Sequence, residues 1–263
     1  MKIALISLNQ VWQDKEANKI RSAQFIEKAS AAESTLVIFP EMTLTGFSMN
    51  TTEIAEDSKS PLSLFWFCEQ AKVNKIAIIM GYVEWNSNHS KARNCMVMIN
   101  AQGEVIGLYA KVHPFSFVGE DLLFEKGNSL AFCRYKETLF GLTICYDLRF
   151  PELYQALSKT CHIIITIASW PVTRGEHWQV LLQARAIENQ VFMIGVNRSG
   201  SDPNGLEYGL TSHVFTPSGS CLHPLEMEEE FALYNLDLTE VEKMRTAFPV
   251  KEDRRVDFYK SIL

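Results

Sequence analysis

The chain has 263 residues, 47% of them hydrophobic and 21% charged, with a formal net charge of −6. That length and balance supply one large core without disulfide staples, so we read residues 1–263 as a single domain. The acidic excess is spread along the chain, so it offers no basic face for nucleic acid or an anionic membrane.

The amino-terminal run KIALISLN (2–9) is β-branched and apolar, which predicts a buried strand. It turns polar at Asn9 and Gln10, too soon for a signal peptide, and no stretch reaches membrane-spanning length. The expected location is therefore the cytoplasm. Residues 17–33 carry apolar side chains at helical spacing, and TLVIFP (35–40) predicts a second buried strand. Residues 61–72 predict a helix with Pro61 in its first turn, and 76–85 a strand. Strands over 93–99 and 104–110 flank the hairpin signal Asn100-Ala101-Gln102-Gly103. Two more strands follow at 130–134 and 139–144, then a helix over 151–159 opened by Pro151. HIIITIAS (162–169) is a fully apolar strand, 176–190 an amphipathic helix and VFMIGVN (191–197) a strand. Thr216-Pro217-Ser218-Gly219 marks a hairpin, FALYNLDL (231–238) a strand, and Thr239 with Glu242 the capped start of a last helix. Interleaved strands and helices, with hairpins between some strands, predict an α/β fold of mixed sheets under helical layers.

The cysteines form no CxxC pair and the histidines no HxH or HxxxH spacing, so no metal site is expected. Cys68, Cys95, Cys133 and Cys161 read as small buried hydrophobes. Ligands of α/β folds gather beyond the carboxyl ends of strands, and three reactive residues lie there: Glu41, Lys111 and Cys145. Cys145 stands at a strand-to-helix junction. It is either another core cysteine or a nucleophile whose thiolate a helix amino terminus would favour. Glu41 is either a cap or surface partner or a desolvated base. Lys111 is either a solvated lysine or a fixed positive charge for an oxyanion.

Four motifs occur in order: FPEMTLTGF (39–47), KVHPF (111–115), GEDLLFEKG (119–127) and ICYDLRFPEL (144–153). With ASWPVTRGEHWQVLLQARAIENQ (168–190) and GVNRSGSDPNG (195–205), they resemble the nitrilase superfamily of carbon–nitrogen hydrolases over nearly the whole chain. Within it the chain looks closest to the omega-amidases. The resemblance implies a four-layer α-β-β-α sandwich with two mixed sheets, a homodimer and no cofactor. It makes Glu41 the general base, Lys111 the catalytic lysine, Cys145 the nucleophile and Glu120 a second glutamate that positions lysine and substrate.

The implied reaction is hydrolysis of a small-molecule carboxamide through a thioester. The Tyr146 backbone N–H would join Lys111 at the oxyanion. Phe47, Trp170 and Tyr146 are candidate pocket walls. Arg174, in the loop after HIIITIAS, is equally a solvated arginine or a clamp for a substrate carboxylate. Arg149 reads as structural, paired with Asp147 or Glu152. The segment RRVDFYKSIL (254–263) has no evident core partner of its own and is a candidate to lie across a neighbouring subunit. The same triad would serve a nitrilase or an N-carbamoyl amide hydrolase, and a non-catalytic thiol sensor is the rival from outside catalysis.

Overall fold

The strands of the computed structural model, which describes residues 1–262, are β1 (Lys2–Ile6), β2 (Leu36–Ile38), β3 (Ala77–Trp85), β4 (Ala92–Ile99), β5 (Val105–Ala110), β6 (Ala131–Tyr135), β7 (Thr138–Ile144), β8 (Ile163–Ala168), β9 (Phe192–Asn197), β10 (Gly200–Ser201), β11 (Glu207–Tyr208), β12 (His213–Phe215), β13 (Glu226–Glu228) and β14 (Phe231–Asn235). The helices are α1 (Lys15–Ala31), α2 (Thr51–Ile54), α3 (Leu62–Asn74), α4 (Glu120–Leu123), α5 (Pro151–Leu157), α6 (Gly175–Asn189), α7 (Thr239–Ala247) and α8 (Val256–Ile262).

Seven strands form one sheet in the order β13-β14-β1-β2-β3-β4-β5, and five form another in the order β12-β9-β8-β7-β6. Both are mixed. β1, β2 and β3 run parallel, as do β7, β8 and β9, and the flanking strands are antiparallel. The inner faces of the two sheets pack on each other through Leu5, Ile38 and Met96 on one side and Leu142, Ile165 and Ile194 on the other. α1 and α3 cover the outer face of the larger sheet with Ile26 and Phe67, and α5 and α6 cover the smaller with Tyr154 and Leu182. Two helical layers thus enclose two sheets, and the α/β sandwich expected from the motifs is the fold of the protein. β8 is buried at every position because it lies between two parallel neighbours and two layers. Each fully buried branched aliphatic side chain there contributes about 1.5–3 kcal/mol.

Local chemistry explains the element boundaries. α1 starts two residues before its predicted position because Asp14 Oδ1 accepts a hydrogen bond from Ala17 N at 2.9 Å. Pro61 sits just ahead of α3 rather than in its first turn. The second predicted strand ends early, at Ile38, where Phe39 and Pro40 already enter the turn to Glu41. Thr239 does not cap α7. It is the first helical residue, and Asp237 Oδ1 accepts from both its N–H (3.1 Å) and its hydroxyl (2.6 Å). Glu242 faces Arg245 and His162 instead of closing a capping box. Beyond α7 the chain adds α8, whose Phe258, Tyr259 and Ile262 are exposed. No helix among the described residues is long and apolar enough to cross a membrane.

Candidate active site

The strand ends carry the site. After β2 the chain turns sharply, and Met42 adopts a left-handed conformation (φ 46°) that places Glu41 wholly inside the protein. The turn is held from two sides. The Gln10 amide lies within hydrogen-bonding distance of the carbonyls of Glu41 (3.0 Å), Met42 (2.9 Å) and Thr43 (3.2 Å). Thr43 N–H donates to the Gly81 carbonyl, and Gly81 N–H donates back to Thr43 Oγ1. β3 comes so close here that a Cβ on Gly81 would lie 2.6 Å from Met42 N, which only glycine avoids.

A buried carboxylate is costly unless its oxygens are satisfied. Glu41 Oε1 accepts from Lys111 Nζ (3.1 Å) and Asn94 Nδ2 (2.8 Å), and Oε2 accepts from Ser169 N (2.9 Å). Lys111 follows β5 and is itself buried, its ammonium also 2.8 Å from Glu120 Oε2. Glu120 opens α4 and accepts from Phe115 N at 2.5 Å and from Asn94 Nδ2 at 3.1 Å. Burial alone would lower the Lys111 pKa, but the Glu120 and Glu41 carboxylates outweigh it and hold the value well above that of a free lysine. Lys111 is therefore a permanent cation facing two carboxylates, with Asn94 bridging them.

Cys145 follows β7 and begins a single 3-10 turn over Cys145–Arg149, with α5 opening only at Pro151. Its φ of 45° is the strained conformation of an elbow, which turns the side chain out of the sheet. Asp147 secures the elbow. Its Oδ2 accepts from Ile144 N (3.0 Å) and Tyr109 Oη (2.8 Å), and its Oδ1 accepts from His113 N (3.0 Å). The thiolate expected at a helix terminus is not favoured here. Burial and the Glu41 charge raise the Cys145 pKa above its ordinary value, against the opposing Lys111 ammonium and Ser169 N–H. One short turn contributes too little dipole to reverse that.

Cys145 and Lys111 line a cavity of about 180 Å³. Phe47, Tyr146, Trp170 and Arg174 all border it, with Tyr208 and Phe117 among the other wall residues. The Lys111 ammonium lies 5.4 Å from the Phe47 ring centroid. Arg174 sits over Phe115 at 5.6 Å, its carbonyl accepting from Trp170 Nε1 at 2.8 Å. Arg149 differs from its expected role. Asp147 is taken by the elbow, so Arg149 turns into the cavity, 4.8 Å from the Trp170 ring and 3.4 Å from His177 Nδ1. Among the described residues neither Arg149 nor Arg174 has a carboxylate within ion-pair distance, which leaves both guanidinium groups available to an anion. A larger groove of about 600 Å³ between α6 and the carboxyl-terminal segment lies away from this chemistry.

Sequence reading missed Asn94, Gln10, Asp147 and Tyr208. Asn94 had a signal: a lone amide inside the apolar run of β4. Gln10 and Tyr208 had none, because their partners are distant in the chain.

A thiol on an elbow of one sheet, facing a carboxylate and an ammonium at the strand ends of another, inside an α-β-β-α sandwich, defines the nitrilase type of hydrolase. The model of the carbon-nitrogen hydrolase family matches residues 2–246, and the chain belongs to that family. It is a nitrilase-superfamily amide hydrolase. It is 33% identical over 263 residues to "Hydrolase in agr operon" of Staphylococcus aureus, covering 99% of this chain and 100% of that one. It is 32% identical over 248 residues to the 2-oxoglutaramate amidase of Bacillus subtilis (strain 168), covering 93% and 94%. The crystal structure of Saccharomyces cerevisiae Nit3, a nitrilase-superfamily member, superimposes with a TM-score of 0.87 at 28% identity over 97% of this chain and 96% of that one.

Proposed function

We propose that this enzyme is an omega-amidase that releases ammonia from 2-oxo-dicarboxylic acid monoamides such as 2-oxoglutaramate, with Cys145 as nucleophile. The observation that carries the chemistry is the buried set of Glu41, Lys111 and Glu120 beside the elbow thiol. Glu41 takes the thiol proton as sulfur attacks the amide carbon. Lys111 and the Tyr146 N–H hold the oxyanion. Glu41 passes the proton to nitrogen, ammonia leaves, and a thioester remains. Water, losing its proton to Glu41, then releases the carboxylic acid and the thiol. Glu120 keeps Lys111 aimed. The high Cys145 pKa fits a thiol that is deprotonated only as it attacks.

Two features support the substrate class. The cavity of about 180 Å³ is below the usual range for drug-sized ligands, so it suits a small acid. Arg149 and Arg174 present two guanidinium groups without a paired carboxylate at its wall, one on the elbow and one after β8. The 2-oxoglutaramate amidase among the relatives agrees with an acid amide. The six free cysteines suit a reducing compartment, and we place the enzyme in the cytoplasm. The exposed apolar side chains of α8 support a homodimer.

The test is ammonia release across acid amides, neutral amides, nitriles and carbamoyl compounds, with intact-protein mass measured during turnover. Highest kcat/KM on a 2-oxo monoamide and an acyl adduct on Cys145 are expected. Preference for neutral amides or nitriles would reject the substrate class, and turnover without an adduct would reject Cys145 as nucleophile.

A further inference from the structure

Arg198 follows β9 and is wholly buried, yet all its side-chain hydrogen bonds go to main-chain carbonyls. A buried guanidinium without a directly paired carboxylate is expensive, and a residue that merely filled space there would be apolar. Its contacts run to three segments of the chain around the site. Nη2 reaches the Gln10 carbonyl at 3.4 Å, and Gln10 is the residue whose amide holds the Glu41 turn. The same nitrogen donates to Ser201 O at 3.1 Å, at the start of the β10–β11 hairpin. The guanidinium carbon lies 4.5 Å from the ring centroid of Tyr208, whose hydroxyl is in turn fixed on Asp202 Oδ2 at 2.9 Å. Nη1 makes no hydrogen bond and abuts Gly46, where a Cβ would come within 3.3 Å of it. Gly46 (φ 70°) carries the chain into Phe47.

We infer that Arg198 is a positioning residue that couples the turn holding Glu41 to the Tyr208 and Phe47 walls of the cavity, so that the carboxylate and the substrate walls stay in register. The inference rests on the reading of Glu41 and Cys145 given above. Arg198 touches neither the thiol nor the cavity. It acts through Gln10, whose amide holds the Glu41 turn, and through Tyr208, which lines the cavity. A flat cation is required, because one planar group spans carbonyl acceptors at its edge and a ring at its face.

The role separates from simple stabilisation by kinetics normalised to competent sites. Arg198→Met and Arg198→Lys are compared with Phe67→Leu, a core change on α3 at a residue that does not line the cavity. Three quantities are measured: kcat per titratable Cys145 and KM on the best amide of the parent, and the rate of Cys145 alkylation by chloroacetamide per remaining free thiol, read by peptide mass spectrometry. For Arg198→Met we expect KM to rise and kcat to fall, each by about tenfold, and alkylation to slow by a similar factor. Arg198→Lys should recover part of kcat, through Gln10, and little of KM. Phe67→Leu should leave every per-site value within twofold. If the Arg198 variants lose only the fraction of competent molecules, as Phe67→Leu does, the coupling role is overturned. If Arg198→Met does not fold, a parent-like Arg198→Lys overturns it equally. A parent whose alkylation does not depend on Glu41 would instead reject the reading of the base, and the two failures are distinct.

Discussion

His113 Nδ1 lies 2.8 Å from Asp147 Oδ1, so the segment that carries Lys111 and the elbow that carries Cys145 are joined by a side-chain hydrogen bond. Asp147 is fully buried and serves Ile144 N and Tyr109 Oη as well. Asp147→Ala strands several buried donors at once, each costing about 1–3 kcal/mol. We expect a drop in stability of about 3–5 kcal/mol and loss of turnover. Urea melts and ammonia release check both, and a parent-like melt would show that the elbow does not depend on Asp147.

Cys145→Ala should abolish hydrolysis while changing stability by no more than about 1 kcal/mol, since it removes one sulfur from a cavity wall. Activity within tenfold of the parent would end the nucleophile assignment.

The direction of the Cys145 pKa gives a spectroscopic prediction. Burial and Glu41 raise it above the ordinary 9.0, so the free enzyme holds a thiol, not a thiolate, at pH 7–8. The ultraviolet absorbance of a thiolate, taken as parent minus Cys145→Ala, should be absent at pH 8. It should emerge only above pH 9.0. A titration centred below pH 8 would contradict the geometry around the thiol.

Glu41→Gln and Lys111→Met should each cut kcat by about 100- to 10,000-fold. Their stabilities should diverge. Glu41→Gln keeps the Lys111–Glu120 pair, whereas Lys111→Met leaves two buried carboxylates sharing Asn94 without a cation. Breaking a buried pair in this way costs about 3–5 kcal/mol. Thermal melts that rank the two variants the other way would refute the charge arrangement.

Arg149→Ala and Arg174→Ala should each lower kcat/KM on a 2-oxo acid amide by about 30- to 1,000-fold, equivalent to about 2–4 kcal/mol of charge-assisted contact. Activity on a short neutral amide should change less than about fivefold by the same conversion. Equal losses on both substrates would give the arginines a structural role.

Glu41, Lys111 and Cys145 were legible because each follows an apolar strand directly and sits in an ordered motif. Asn94 offered only a lone amide inside the apolar run of β4, which by itself names no partner. Its importance depends on Glu41 and Glu120, whose places relative to β4 no periodicity gives. Arg149 was misread for a related reason: two acidic residues stand near it in sequence, but the elbow takes Asp147 inward and sends Arg149 to Trp170. The α7 boundary shows the same locality problem at smaller scale, since Asp237 engages the Thr239 hydroxyl that would otherwise cap the helix.

Glu41, Asn94 and Lys111 belong to the seven-stranded sheet and its loops, whereas Cys145 and Ser169 extend from the five-stranded sheet. Neither sheet by itself brings Glu41 and Lys111 to the Cys145 thiol. A nascent or partly folded chain therefore carries an unassisted cysteine rather than a stray acylating centre. On the proposed mechanism, chemical competence therefore requires the two inner layers to be docked. A titration of acylatable Cys145 is for that reason also a census of molecules that have completed their central interface.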